Sequence, residues 1–446
     1  MTTQPLHLWS AAFAAEKIRD GAITSTELVT ACLDHTAEVD ANIEAWAHLD
    51  REHALRQAEM ADRASAARLP RGPLHGVPIG VKDIIDTADL PTENGTMLQL
   101  GRQPREDAAI VSMLKQAGAV VMGKTVTTEL AVFSPGKTRN PHNSAHTPGG
   151  SSSGSAAAVA ANMVPAAIGT QTNGSVIRPA SYCGVCGFKP SHGLISRTGV
   201  LPQSRWLDTI GVMARSVEDV ALLAENLMHF DGRDPDAQPL AIAPLRETAA
   251  SQPPVMPDLV YIATPIADQL EGYSTEAFAE LVEVLGEQCA VDELPEPFAK
   301  AWDYHADIVH ADIARSFDSF YRNGRDKLSE RLVGMIELGQ KVLAVDYNEA
   351  LDWRTRFNAG LDAIFEHYDA IITPATTGEA PAGLESTGSP AFCTLWTLAG
   401  VPAVTLPLFQ GPTGLPIGVQ LIGRKGNDAR LLRTARWLAA QVQSDE

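Results

Sequence analysis

The first 65 residues read as helix. Thr24 and Glu27 are spaced as a capping box before LVTACLDHTAEV, and a second helical stretch, rich in Ala, Glu, Arg and Gln, runs from about Arg51 to Ala64. The texture changes near residue 70. GPLHGVPIGVKD is apolar and punctuated by Gly and Pro, like a strand entering a loop. DAAIVSMLKQAG follows as an amphipathic helix stopped by Gly118, and AVVMGK as a short apolar strand. GGSSSGSAAAVAANM reads as a Gly/Ser loop opening an Ala-rich helix, and VPAAIGTQTNGS as a strand ending in a polar loop. Residues 231–258 read as an irregular connection, LVYIAT (259–264) as a strand, and 305–367 as mainly helical. DAIITP, VPAVTLPL and LPIGVQLIG return to strands before a closing helix, NDARLLRTARWLAAQV. Strands alternate with helices throughout, which predicts an α/β fold with a large mixed sheet. No internal repeat and no linker divides the chain, so residues 1–446 are expected to form one domain.

Composition narrows the function. The 446 residues carry a formal net charge of −19, whereas a nucleic-acid binder needs a basic footprint and an anionic membrane repels such a surface. The N-terminus lacks a basic region followed by an apolar run, and no apolar stretch approaches ~20 residues. The expected compartment is the cytoplasm. Five scattered cysteines do not suggest a disulfide framework.

Several patterns suggest chemistry that their context opposes. Gly118 to Thr125 fits G-x4-G-K-T, but its middle residues, Ala-Val-Val-Met, read as a strand rather than a phosphate-wrapping loop. Gly150 to Gly154 fits G-x-S-x-G, which would make Ser152 a nucleophile. That motif should follow a strand, and PGKTRNPHNSAHTPGG is irregular. Cys183 and Cys186 lack two further ligands for zinc. His305, Asp307, His310 and Asp312 read as one partly solvated helix. No metal or cofactor is expected.

Three segments remain: GVPIGVKD with Lys82, GGSSSGS with Ser151, and GTQTNGSVIRPA with Ser175. Taken singly, each has a structural explanation: a lysine reaching to water, a serine helix cap, a glycine turn. Together, with Ser151 and Ser175 24 residues apart, they resemble the amidase signature family. The resemblance spans about residues 8–228 and resumes at 369–440, leaving 230–368 as a divergent, mainly helical insertion expected to shape a substrate pocket.

The resemblance implies a mixed sheet of about eleven strands with helices on both faces. It implies Ser175 as nucleophile, Ser151 as bridging serine after a cis peptide bond, and Lys82 as base. The backbone N–H groups of Thr172, Asn173, Gly174 and Ser175 are the implied oxyanion donors. A lysine is a base only when neutral, and burial can lower its pKa from ~10.4 toward ~7–8. Arginine cannot substitute. Ser152, Gln171 and Arg178 are expected to support the site. The family commonly has Asp at the position of Gln171, Gly at that of Asn173, and Arg at that of Ile177 instead of Arg178. These departures fall in the hydrogen bonding around Ser175 and in the electrostatics of Lys82.

The expected activity is hydrolysis of small, hydrophobic or aryl amides through an acyl-Ser175 intermediate. Aryl carbamates and esters are alternates on the same triad. A Ser152 hydrolase and a non-catalytic assembly partner are the lesser readings. The glutamine-using subunit of tRNA amidotransferases is disfavoured, because its Tyr-rich substrate segment is not recognisable. Leu130, Phe133, Trp206 and Trp396 are candidate pocket walls. A homodimer is what the family suggests.

Overall fold

In the computed structural model, which describes residues 4–241 and 243–443, eleven strands join one mixed sheet. Met1–Thr3, Ile242 and Ser444–Glu446, which the one-domain expectation includes, lie outside the described residues. The strands are β1 (Trp46–Leu49), β2 (Pro78–Lys82), β3 (Val120–Thr125), β4 (Ala166–Gln171), β5 (Cys186–Lys189), β6 (Thr209–Ala214), β7 (Leu259–Ala263), β8 (Cys289–Glu293), β9 (Ala370–Pro374), β10 (Ala403–Gln410) and β11 (Pro416–Ile422). Their order across the sheet is β1-β3-β2-β4-β6-β5-β10-β11-β9-β7-β8. β2 runs parallel to both β3 and β4, and β7 runs parallel to β8 and β9. The other pairings are antiparallel.

The helices come in three groups. Before β4 lie α1 (Ala11–Arg19), α2 (Ser25–Ile43), α3 (Arg51–Ala66), α4 (Ala109–Gln116) and α5 (Ser153–Ala160). Between β4 and β9 lie α6 (Ile177–Tyr182), α7 (Val217–Glu225), α8 (Leu245–Ala250), α9 (Gly272–Leu285), α10 (Ala301–Ser316), α11 (Asp318–Gly324), α12 (Glu330–Gly339) and α13 (Ala344–Ile364). After β9 come α14 (Ala391–Ala399) and α15 (Asp428–Gln443). Successive strand residues point to opposite faces, so both faces must be covered. In β4, Ala166 and Ile168 join the apolar cluster of α4, α7 and α15, while Ala167 joins that of α2, α3 and α5. In β9, Ile372 faces the first cluster and Ile371 faces a third built on α10, α13 and α14.

The predicted cap of α2 is present: Thr24 Oγ1 accepts from Glu27 N, and the Glu27 carboxylate accepts from Thr24 N. The helical reading of residues 1–65 misses β1, which pairs with β3 at the sheet edge. A Cβ on Gly123 would come within 2.6 Å of His48 O, so a glycine is what lets this edge strand approach. The G-x4-G-K-T match is a strand, not a phosphate loop: Val120–Thr125 is β3. Among the described residues no helix is long and apolar enough to cross a membrane.

Candidate functional site

β2 and β4 lie side by side and parallel, and their carboxyl ends bring Lys82 and Thr170 together. A crevice beyond such strand ends is where open α/β sheets bind ligands. Lys82 Nζ donates to Ser151 Oγ and to Thr170 Oγ1, both at 2.7 Å. The side chain is fully buried, and no carboxylate lies within ion-pair distance among the described residues. Burial therefore pushes the Lys82 ammonium well below its ordinary range. Asp208 opposes that shift with its negative charge and Arg178 reinforces it.

Ser151 lies just before α5, which packs closely on β2, β3 and β4. A Cβ on Gly154 would come within 2.2 Å of Ala45 O and 2.3 Å of Val126 N, and one on Gly169 within 2.7 Å of Ser152 Oγ. The Gly/Ser/Ala run is thus a close-packing device. Ser155 Oγ donates to Ile168 O on β4 and is bonded to Thr125 Oγ1 on β3. The Gly150–Ser151 bond is cis, as the resemblance implies. Ser152 is fully buried, its Oγ donating to Thr170 O and accepting from Thr170 N, so it fastens α5 to β4 and cannot face a substrate. The structure therefore does not support Ser152 as a nucleophile.

Ser175 follows β4 in a tight loop that leads into α6. The backbone N–H groups of Thr172, Asn173, Gly174 and Ser175 find no acceptor among the described residues. Gln171 explains how the loop holds without the family's usual Asp. Its Oε1 accepts from Val176 N and Ile177 N at 2.8 and 3.0 Å, and its Nε2 donates to Thr397 Oγ1 at 3.0 Å. Arg178 is also buried. It donates through one terminal nitrogen to Gly150 O at 2.7 Å and through the other to Gly388 O at 3.0 Å, tying the Ser151 loop in place.

A cavity of about 40 Å³ opens on Ser175. Phe133, Val309, Ile313 and Met335 form an apolar wall, and Asn173, Arg178, Gln203 and His305 add polar groups. No carboxylate lines it among the described residues. Of the four expected wall residues Phe133 lines this cavity, and the other three lie off it. Leu130 is buried in the apolar cluster of α10 and α12, where its carbonyl accepts from Gln203 Nε2. Trp206 donates from its ring nitrogen to Tyr347 OH. Trp396 is fully buried between α14 and its neighbours. A larger cleft of about 540 Å³ lies on the other side of Thr172 and Gln203, which border both spaces.

Sequence reading missed four residues here: Thr170, Asp208, His305 and Thr397. His305 was expected on a partly solvated helix. Instead α10 buries it, and its Nε2 bonds Thr172 O at 3.0 Å. Burial lowers its pKa to about 4. Asp208 accepts from Thr172 Oγ1 at 2.6 Å and from Gln203 N and Ser204 N, and burial raises its carboxyl to about 6. Asp312 turns away to Ser204 and Tyr347, so the His/Asp set does not converge. Cys183 and Cys186 are free, buried thiols.

A sequence model of the family described as Amidase matches residues 27–432. The chain belongs to the amidase family. The A subunit of glutamyl-tRNA(Gln) amidotransferase from Rhodopirellula baltica is 32% identical, over 98% of this amidase and 97% of its own length. Its counterpart from Chloroflexus aggregans is 34% identical, over 96% and 95%. These relatives are of the branch that the sequence reading disfavoured. Among solved structures, the native peptide amidase from Stenotrophomonas maltophilia superposes with a TM-score of 0.84 at 29% identity, covering 98% of each chain. 6-Aminohexanoate cyclic dimer hydrolase, complexed with substrate, gives 0.88 at 27%, also over 98% of each. A protein from an unexpected vestigial complex that reveals the origins of an s-triazine catabolic enzyme gives 0.90 at 28%, over 97% of this chain and 98% of its own. This amidase is thus a serine amidohydrolase, an enzyme of carbon–nitrogen bond chemistry.

Proposed function

We propose that the protein hydrolyses small, apolar or aryl amides through an acyl-Ser175 intermediate, with Ser151 and Lys82 relaying the proton. The observation that carries this reading is the Lys82–Ser151 hydrogen bond, made by a buried lysine that has no ion-pair partner among the described residues. A neutral Lys82 accepts the proton of Ser151, and Ser151 accepts that of Ser175 as the latter attacks the carbonyl carbon. The carbonyl oxygen becomes an oxyanion that meets the free N–H groups of residues 172–175. The proton returns through Ser151 to the leaving nitrogen, the C–N bond breaks, and water releases the acid by the same path in reverse. Aryl carbamates and esters present the same carbonyl to the same groups.

A second reading, in which the chain supplies nitrogen from an amide donor within an amidotransferase of several subunits, is favoured by the near full-length match to the amidotransferase relatives. The apolar wall of Phe133, Val309, Ile313 and Met335 beside Ser175 favours the first.

The test is a panel of anilides, primary amides, aryl carbamates, esters and L-glutamine, run on wild type and Ser175→Ala. Turnover of apolar amides that Ser175→Ala abolishes is the expected result. Hydrolysis of glutamine in preference to them would favour the second reading, and turnover that survives in Ser175→Ala would remove Ser175 from the mechanism.

A further inference from the structure

The loop that carries Ser175 exposes its N–H groups on one side and has its carbonyls held on the other. Thr172 O is bonded by His305 Nε2 at 3.0 Å, Asn173 O accepts from Thr397 Oγ1, and Gly174 O accepts from Arg178 N at 2.9 Å. A trans peptide unit is planar, with its C=O and N–H pointing in opposite directions. Fixing the Thr172 carbonyl therefore aims the Asn173 N–H, and fixing the Asn173 carbonyl aims the Gly174 N–H. The third such hold is a main-chain bond leading into α6. The first two are side chains on helices remote in sequence, α10 and α14.

We infer that His305 and Thr397 are positioning residues that aim the Asn173 and Gly174 N–H groups at the oxygen of the reacting carbonyl. The inference rests on the reading of Ser175 as nucleophile. Its chemistry is specific. A carbonyl cannot donate, so His305 must carry its proton on Nε2. Thr397 gives its only proton to Asn173 O, so its lone pairs need a donor, and the Gln171 amide nitrogen is that donor. Gln171 Oε1 is already committed to Val176 N and Ile177 N, which fixes the amide orientation. An acceptor-only carboxylate at position 171 could not serve Thr397 in this way. The departure at Gln171 and the Thr397 hydroxyl thus form one device. Further bonds from Thr172 Oγ1 to Asp208 and from Thr394 Oγ1 to Asn173 Oδ1 hold the same two residues by their side chains.

The experiment uses a fluorophosphonate, which needs no knowledge of the natural substrate. Ser175 Oγ attacks phosphorus, the P–F bond breaks and fluoride leaves through a five-coordinate transition state whose phosphoryl oxygen meets the same N–H groups. Labelling by the full-length protein is followed by mass spectrometry and resolved into a saturation constant and a maximal rate constant. Thr397→Val and His305→Phe are each expected to lower the maximal rate constant at least ~10-fold with the saturation constant little changed, because donor alignment acts on the transition state. Thr397→Ser and His305→Gln restore a donor at about the same place and should recover most of the rate. Thr397→Val is nearly isosteric, so it carries the test if His305→Phe does not fold. Unchanged rates in Thr397→Val would overturn the inference while leaving Ser175 as nucleophile. So would a loss that Thr397→Ser fails to rescue, which would mark a purely structural role. Absence of wild-type labelling at Ser175 would overturn the nucleophile reading itself, and the inference with it.

Discussion

Thr170 Oγ1 accepts from Lys82 Nζ at 2.7 Å, the same distance that separates the lysine from Ser151 Oγ. A buried amine left with one partner would be free to swing about its long side chain. With two it is aimed. Thr170→Val keeps the shape of the side chain and removes the acceptor, leaving part of the Lys82 head unsatisfied at a cost of ~1–2 kcal/mol. We expect kcat/KM to fall roughly 5–30-fold, with the fold intact by circular dichroism.

The charge state of Lys82 gives a signed pH prediction. Its pKa is lowered by burial, so the neutral base forms as pH rises through that lowered value, and kcat/KM rises with it. Negative charge on Asp208 holds the Lys82 pKa up. Asp208→Asn removes that charge, and the acid limb of the pH–rate profile should move to lower pH. A shift to higher pH would contradict the assignment of that limb to Lys82. Lys82→Ala and Lys82→Arg should each lose ~10²–10⁴-fold in kcat, the arginine because it stays protonated.

Gln171→Glu tests the amide at the head of the Ser175 loop. Glutamate has the same shape and still accepts from Val176 N and Ile177 N, but it cannot donate to Thr397 Oγ1. Two acceptors would then face each other in a buried site, or the glutamate would take up a proton. The variant should be destabilised by ~1–3 kcal/mol at pH 8 and by less at pH 5, where protonation restores a donor. Thermal midpoints at the two pH values measure the difference.

Why some of this was legible in the sequence and some was not follows from how each group reaches the site. Lys82, Ser151 and Ser175 each sit in a continuous string of small residues, some forced by close contact with backbone, as at Gly154, or with a buried side chain, as at Gly169. Such strings can be read locally. His305, Thr397 and Asp208 arrive from separate elements, and each looks ordinary in its own segment. His305 in particular shares α10 with Asp307, His310 and Asp312, so a one-dimensional reading gives a wet helix. Only the packing of α10 against α12, α13 and α14 shows which face is dry. Among the strands, β1 was hidden for a similar reason. Its four residues lie between two helices, and its partner supplies the close approach through Gly123.

Lys124, the lysine of the false phosphate motif, has a structural assignment that can be checked. It is fully buried, 3.3 Å from Asp83 Oδ1, and donates to Thr92 Oγ1 at 2.6 Å and Pro91 O at 3.2 Å. Burial lowers its pKa to about 8 and raises that of Asp83. Lys124→Met would strand the Asp83 carboxylate and should cost ~3–5 kcal/mol. Adding Asp83→Asn, which keeps an acceptor for Glu93 N, should recover most of that loss. Denaturant midpoints of the single and double variants decide it. Equal stability of the two would mean that no stranded Asp83 charge is left to relieve once Lys124 is gone.

Asp208 makes a final prediction about stability, with its sign fixed by the direction of its shift. Burial raises its carboxyl from 3.8 to about 6. Well below pH 3.8 it is protonated in both folded and unfolded chains and contributes no pH dependence. As pH climbs from 3.8 toward 6 the unfolded chain ionises first, so the folded state loses stability relative to it. Above ~6 the full penalty stands, on the order of 3 kcal/mol at ~1.36 kcal/mol per pKa unit. Asp208→Asn carries no such titration. Whatever fixed change the substitution makes, its stability relative to wild type should be higher at pH 7.5 than at pH 4.5. A difference that is the same at both pH values, or of opposite sign, would show that the carboxyl that accepts the Thr172 hydroxyl is ionised throughout and that burial does not govern it.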